Sequence, residues 1–201
     1  MSQDIFMQKM DQILEKCEGT IHIADDICVY GRDEAEHNKN LRNLMFVARE
    51  EGLVFNPDKC NIAQTQVKFF GLIFDKNGAH PDPEKVAAIH GILAPGNIKE
   101  LQQFLGISTY MSPFIPCLSQ HTAPLRELIK KESDFQWTNS HTVAFDSIKK
   151  LICKELTLSY FDPEKPVTIQ VDSSTRGMGA ALIQEGRPIA FCSRALTDCK
   201  Q

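Results

Sequence analysis

The chain has 201 residues, 42% hydrophobic and 24% charged, a composition that fits one large globular domain or two small ones and excludes collagen-like, mucin-like and wholly disordered chains. Its formal net charge of -4, from 22 Lys+Arg and 26 Asp+Glu, is not the basic excess of a free-standing nucleic-acid binder. Division after His80 leaves 9 basic and 13 acidic residues before it and 13 of each after it, so the N-terminal part gathers the carboxylates. The chain opens with Phe6, Met10, Ile13, Leu14 and Cys17 at i, i+4, i+7, i+8 and i+11, which predicts a helix ending at Gly19. Thr20 to Ala24 and Ile27 to Tyr30 are β-prone runs around Asp25-Asp26, a hairpin with both carboxylates at its tip. From Glu34 to Glu51, Leu41, Leu44, Met45 and Ala48 recur at helical spacing. Leu53 to Phe55 reads as a short strand before the turn Asn56-Pro57-Asp58.

Val67 to Phe74 is one apolar run, and Asp75 to Gly78 is a turn before Ala79-His80, which together predict a second hairpin. Beyond Pro81 and Pro83 the sequence turns helical over Glu84 to His90, Ile98 to Thr109, Ala123 to Lys131 and Ser140 to Ile152. After Pro163 and Pro166 the period becomes two: Val167, Ile169 and Val171 alternate with Thr168, Gln170 and Asp172. Met178 to Gln184 and Ile189 to Ser193, joined through Glu185-Gly186-Arg187, complete a three-stranded antiparallel meander. Such a sheet needs a further layer on its apolar face, and Gln201 is reached before one is supplied. Seven cysteines without a C-x-x-C pair indicate reduced thiols, not a disulfide framework or a zinc finger. No run approaches the roughly 20 apolar residues of a membrane helix and no signal peptide is visible, so an intracellular protein, cytoplasmic or nuclear and without membrane contact, is expected.

Adjacent carboxylates at a hairpin tip repel, and a cation relieves them. Magnesium suits such oxygen donors, since it is held by one or two protein carboxylates with waters and substrate phosphates around it. Asp-Asp is also an ordinary turn pair, so spacing alone leaves both readings open. His22 falls on the face of Ala24, which makes it a packed or surface imidazole. Lys130, Lys131, Lys149, Lys150 and Lys154 could meet phosphates, although short lysine runs are usually solvated helix faces.

The segment Ile21-His22-Ile23-Ala24-Asp25-Asp26-Ile27-Cys28-Val29-Tyr30 resembles the catalytic hairpin of reverse transcriptases, written Y-x-D-D within hydrophobic strands. Further landmarks follow in order: Gly52 to Cys60, Val67 to Leu72, Gly78 to Val86, Leu101 to Gly106, Ala123-Pro124-Leu125, and Phe135-Gln136-Trp137-Thr138 with Ala144-Phe145. The whole series resembles gypsy-type LTR retrotransposon polymerases. That resemblance implies an α+β fragment: a partial palm over 1–80, a helical thumb and connection over 81–160, and the N-terminal strands of an RNase H-like sheet over 161–201.

By the same resemblance Asp25 and Asp26 are the second and third palm carboxylates, Asp25 the more direct metal ligand. The first lies upstream in the family, in sequence absent here, with the fingers. Ile23 replaces the family's tyrosine, which removes an aromatic contact beside the primer terminus, although isoleucine suits a buried strand. Val67 to Leu72 resembles the primer grip, with Phe69, Phe70 and Gly71 as its residues; the alternative is that the two rings merely fill an interface. Asp172, in Val171-Asp172-Ser173-Ser174, resembles the first catalytic aspartate of RNase H, so that Asp25, Asp26 and Asp172 are the candidate catalytic and Mg²⁺-binding residues.

The implied partners are a primer-template duplex or RNA–DNA hybrid, deoxynucleotides, and the missing polymerase and RNase H segments of the polyprotein. The implied reactions are nucleotidyl transfer to a primer 3′-hydroxyl and hydrolysis of RNA in hybrids. With both carboxylate sets incomplete, the chain alone is expected to perform neither efficiently. Two other readings remain at this point: a non-catalytic module that binds nucleic acid or protein, and an unrelated metal-dependent phosphohydrolase using Asp25 and Asp26.

Overall fold

The structure, a computed structural model, describes residues 2–130, 134–154, 157–174 and 177–196. They form two compact units, 1–65 and 66–201. In the first, helix α1 (Ser2–Leu14) and helix α2 (Glu34–Glu51) enclose a small core around the ribbon β1 (Thr20–Ile23) and β2 (Asp26–Val29). Met10, Ile13, Leu14 and Cys17 pack against Leu44 and Val47, with Ile27, Val29, Leu53 and Phe55 at the margin.

Helix α2 starts where the Asp33 carboxylate accepts the Glu36 amide at 2.8 Å, a side-chain N-cap, and ends at Gly52 with φ 75°, the left-handed stop that glycine adopts without strain. Its inward face differs from the sequence expectation. Asn40, Leu44, Val47 and Ala48 are buried, while Met45 points outward, because Asn40 is drawn inward to donate to the Tyr30 carbonyl at 2.8 Å. Leu53 to Phe55, expected as a short strand, has no ladder partner; Leu53 and Phe55 reach the core without making a strand.

The second unit begins with the sheet β3 (Gln66–Phe69), β4 (Leu72–Asp75) and β5 (Gly78–Pro81), antiparallel throughout. The single apolar run of the sequence is therefore broken by a two-residue turn at Phe70-Gly71, with φ 48° and 71°. Two consecutive left-handed residues give the tight hairpin whose twist matches that of its strands. A helical layer follows: α3 (Pro83–His90), α4 (Ile98–Tyr110), α5 (Leu118–Glu127) and α6 (Asn139–Ile152). Leu101, Phe104, Leu125, Phe145 and Ile148 form the centre of its core. Helix α5 begins five residues before the expected start at Ala123, and Pro124 lies inside it. Lys131, the expected end, lies outside the described residues.

The antiparallel sheet β6 (Thr168–Ser174), β7 (Gly177–Gln184) and β8 (Arg187–Ala195) closes the unit, with β7 central. The expected meander is present. Segment 157–160 ties the two sheets together: Leu158 and Ala79 exchange backbone hydrogen bonds at 2.8 and 2.9 Å, and the Ser159 amide donates to the Pro188 carbonyl at 2.8 Å. The six cysteines among the described residues are free thiols; Cys199 lies outside them. No helix of the described residues is long and apolar enough to cross a membrane.

Candidate active-site carboxylates and primer-contact turn

The ribbon β1–β2 pairs Thr20 with Val29, Ile21 with Cys28, His22 with Ile27 and Ile23 with Asp26. Its two-residue turn is thus Ala24-Asp25, Ala24 taking φ 54°. This shifts the expected tip by one residue: Asp25 stands in the turn, whereas Asp26 opens β2 within the ladder. Because successive side chains of an extended chain leave on opposite sides, the two carboxylates are neighbours with different outlooks. Both are exposed, and among the described residues neither has a hydrogen bond or ion pair.

The inner side of the ribbon is fixed by packing. Ile27 and Val29 pack against the α1–α2 core, and His22 Nε2 meets Asp11 Oδ1 at 2.9 Å. That contact gives His22 the packed role and removes it as a ligand at the turn. The outer side carries Ile21, exposed, and Ile23, 36% exposed. Ile23 therefore sits on an open face and not in a buried strand, contrary to the sequence expectation.

Two exposed oxygen donors without an internal cation match what Mg²⁺ accepts, an ion that keeps several waters and takes phosphate oxygens into its shell. They are not a complete protein cage. Among the described residues no group of three His, Cys, Asp or Glu is placed to hold a metal ion.

At the second candidate, the three primer-grip-like residues have separate fates. Phe69 is buried at 6% exposure and meets Phe74 edge-on, with centroids 6.5 Å apart, so it is a core side chain. Phe70 is 55% exposed, and only its inner edge is covered, by Tyr110 at 5.7 Å in an edge-to-face contact. The Tyr110 hydroxyl donates to the Phe70 carbonyl, and burial pushes the Tyr110 phenol above its ordinary pKa, which keeps that donor proton in place. A Cβ at Gly71 would meet the end of the Lys85 side chain and displace it, and the φ of 71° itself favours glycine. Sequence reasoning missed Lys85 and Tyr110; each looks like one more helix residue, and nothing local marks a partner 14 or 40 positions away.

Asp172 pairs across the ladder with Gly179 on the edge strand β6, where every residue is exposed. Ile169 and Val171, at 66% and 67% exposure, alternate with Gln170 and Asp172 as expected, but neither face of the strand is covered. Of the lysines, Lys130 pairs with Glu127 at 2.6 Å. Lys149 donates to the Ile92 carbonyl at 2.7 Å and lies over the Phe145 ring, a structural role.

Comparison with known proteins matches two segments of the chain to described domains. Residues 2–74 match the family model described as reverse transcriptase (RNA-dependent DNA polymerase), and residues 137–201 match that of the RNase H-like domain found in reverse transcriptase. The Tf2-3 and Tf2-7 transposon polyproteins of Schizosaccharomyces pombe are each 35% identical over 161 residues, 80% of this chain and 12% of the polyprotein. The chain thus spans about an eighth of the length of those relatives. Among solved structures, foamy viral protease-reverse transcriptase in complex with double-stranded DNA superposes with a TM-score of 0.85 at 25% identity, covering 98% of this chain and 36% of the viral one. The same viral protein in complex with RNA/DNA hybrid gives 0.85 and 25%, over 99% and 28%. The chain therefore carries a reverse transcriptase segment followed by an RNase H-like segment, and over most of its length it is similar to gypsy-type retrotransposon polyproteins.

Proposed function

We propose that this chain supplies part of a polymerase centre and part of a ribonuclease H centre, and that both act on a nucleic-acid duplex. In functional terms 1–80 is a partial palm, 81–160 thumb and connection, and 161–201 the opening of the RNase H sheet. The observation that carries the reading is the Ala24-Asp25 turn, which puts two unneutralised carboxylates side by side on a ribbon anchored by its other face. Reverse transcriptases and RNases H generally use Mg²⁺; when bound, such ions stabilise the attacking and leaving oxygens of an in-line displacement. Asp25, free of the ladder, is the principal ligand and Asp26 the supporting one. Asp172 serves the same purpose on β6, where its exposed carboxylate meets no competing cation among the described residues.

Duplex binding is supported by the two structural neighbours, whose complexes contain double-stranded DNA and RNA/DNA hybrid. The Phe70-Gly71 turn offers an exposed ring and a close backbone approach to a primer strand. Fluorescence anisotropy of a labelled RNA–DNA hybrid titrated with the chain tests this: binding is expected at low ionic strength, falling linearly on a log–log plot against salt because binding releases counterions and added salt weakens that drive. Absence of binding at low ionic strength would reject the duplex part of the reading.

A further inference from the structure

The corner formed by the β3–β4 turn, helix α3 and the end of helix α4 holds two lysines in different electrostatic states. Lys68 is neutralised: its ammonium lies 2.6 Å from Asp82 and 3.0 Å from Glu84. That pairing, with a weaker, longer-range contribution from the Lys85 ammonium, holds the Asp82 carboxyl below the ordinary carboxylate range. Lys85 is exposed, and among the described residues no carboxylate lies within ion-pair distance of it. It is nonetheless placed, because its ammonium stands over the Tyr110 ring, 5.6 Å from the centroid, and fills the space above Gly71. A cation over an aromatic face is held by the ring quadrupole. Tyr110 thus does two things: its hydroxyl fixes the carbonyl of the strained residue Phe70, and its face steers the ammonium to the adjacent glycine.

We infer that Lys85 is the phosphate-binding cation of this turn: the Lys85 ammonium takes one backbone phosphate of a nucleic-acid strand whose sugar-base edge lies against Phe70, and Tyr110 is its positioning residue. The inference rests on the reading of Phe70-Gly71 as a primer contact. An exposed aromatic ring beside an ammonium that has no ion pair among the described residues suits a strand that offers a π-face and an anion in succession. Gly71 is required on both counts, since it adopts φ 71° and any side chain there would evict Lys85.

The test uses the full chain, a primer-template duplex with a photoreactive group at the primer 3′ end, and a salt titration of its affinity. Wild-type protein is expected to crosslink within residues 69–72. Lys85→Met is expected to lower the slope of log affinity against log salt by about one and to weaken hybrid and double-stranded DNA by the same factor, since a phosphate contact carries no sequence information. Lys85→Arg is expected to restore the slope. Tyr110→Phe, which keeps the ring and loses the hydroxyl, is expected to speed hydrogen exchange at the Gly71 and Leu72 amides and lower the crosslink yield, with the urea midpoint of Lys85→Met unchanged as the folding control. Crosslinking at the turn with an unchanged slope in Lys85→Met would overturn the role of Lys85 and leave the primer contact standing. Crosslinking elsewhere, or no bound duplex, would overturn both.

Discussion

In a polymerase completed with the rest of a palm, Asp25→Asn is expected to lower primer extension by about 10³-fold, the loss of roughly 4 kcal/mol of transition-state stabilisation. Asparagine keeps the size of the side chain and its tolerance of turns but removes the charge that a magnesium ion requires. The fold should not register the change. Asp25 is exposed and makes no hydrogen bond or ion pair with the described residues, so unfolding should stay within about 0.5 kcal/mol of wild type. Asp26→Asn should cost less, because Asp26 lies in the ladder opposite Ile23 and is proposed only as the supporting donor. Steady-state extension at saturating Mg²⁺, measured beside urea denaturation, separates the two effects. Extension by Asp25→Asn at the wild-type rate would remove the ribbon from the chemistry.

The largest structural effect is expected at Phe104. This side chain is 1% exposed, and its ring centroid lies 4.5 Å from that of Phe145. Truncation to alanine leaves a cavity between α4 and α6 and should cost about 3–5 kcal/mol, a large share of the roughly 5–15 kcal/mol by which a domain is stable. The consequence reaches the candidate site in the same unit. Helix α4 buries Leu101, Phe104 and Leu105 and ends at Tyr110, whose hydroxyl holds the Phe70 carbonyl. A loosened helix should release that bond, so the turn amides should exchange faster in Phe104→Ala than in a surface control such as Val143→Ala, at 69% exposure. Urea denaturation and hydrogen exchange on both variants check this; a cost below about 1 kcal/mol would contradict the packing described.

How far the sequence could be read depended on whether a feature was local. The stripe Phe6, Met10, Ile13, Leu14 and Cys17 is a local repeat whose last four members pack as their spacing indicates, while Phe6 stays 45% exposed and the helix ends at Leu14, five residues before Gly19. The Glu185-Gly186 turn was legible because an x-Gly pair is an ordinary turn signal, and its φ values of 50° and 74° fit that reading. Phe70-Gly71 adopts nearly the same backbone but lies inside an apolar run, and phenylalanine in the left-handed region is too uncommon for a propensity rule to anticipate. The tip of the first ribbon was misplaced by one residue for a similar reason: Ala24, not an aspartate, takes the positive φ.

The candidate site was legible to a different degree. Asp25, Asp26 and Asp172 were singled out as candidates through the order of family landmarks, since an Asp-Asp pair or a strand-end aspartate is uninformative alone. Lys85, Tyr110 and the His22–Asp11 contact were not visible, because each depends on a tertiary approach between elements whose spacing carries no common period. Asn40, polar within a helix, gave no sign that it would turn inward to the Tyr30 carbonyl.

The central claim is that the Ala24-Asp25-Asp26 ribbon holds a divalent ion, and the most direct measurement is paramagnetic broadening of the amide spectrum by substoichiometric Mn²⁺, repeated with excess Mg²⁺. Broadening should centre on residues 23–27, fade as Mg²⁺ competes, and be absent from the Asp25→Asn, Asp26→Asn double variant. Broadening that spares the ribbon, or persists at it unchanged in the double variant, would contradict the claim.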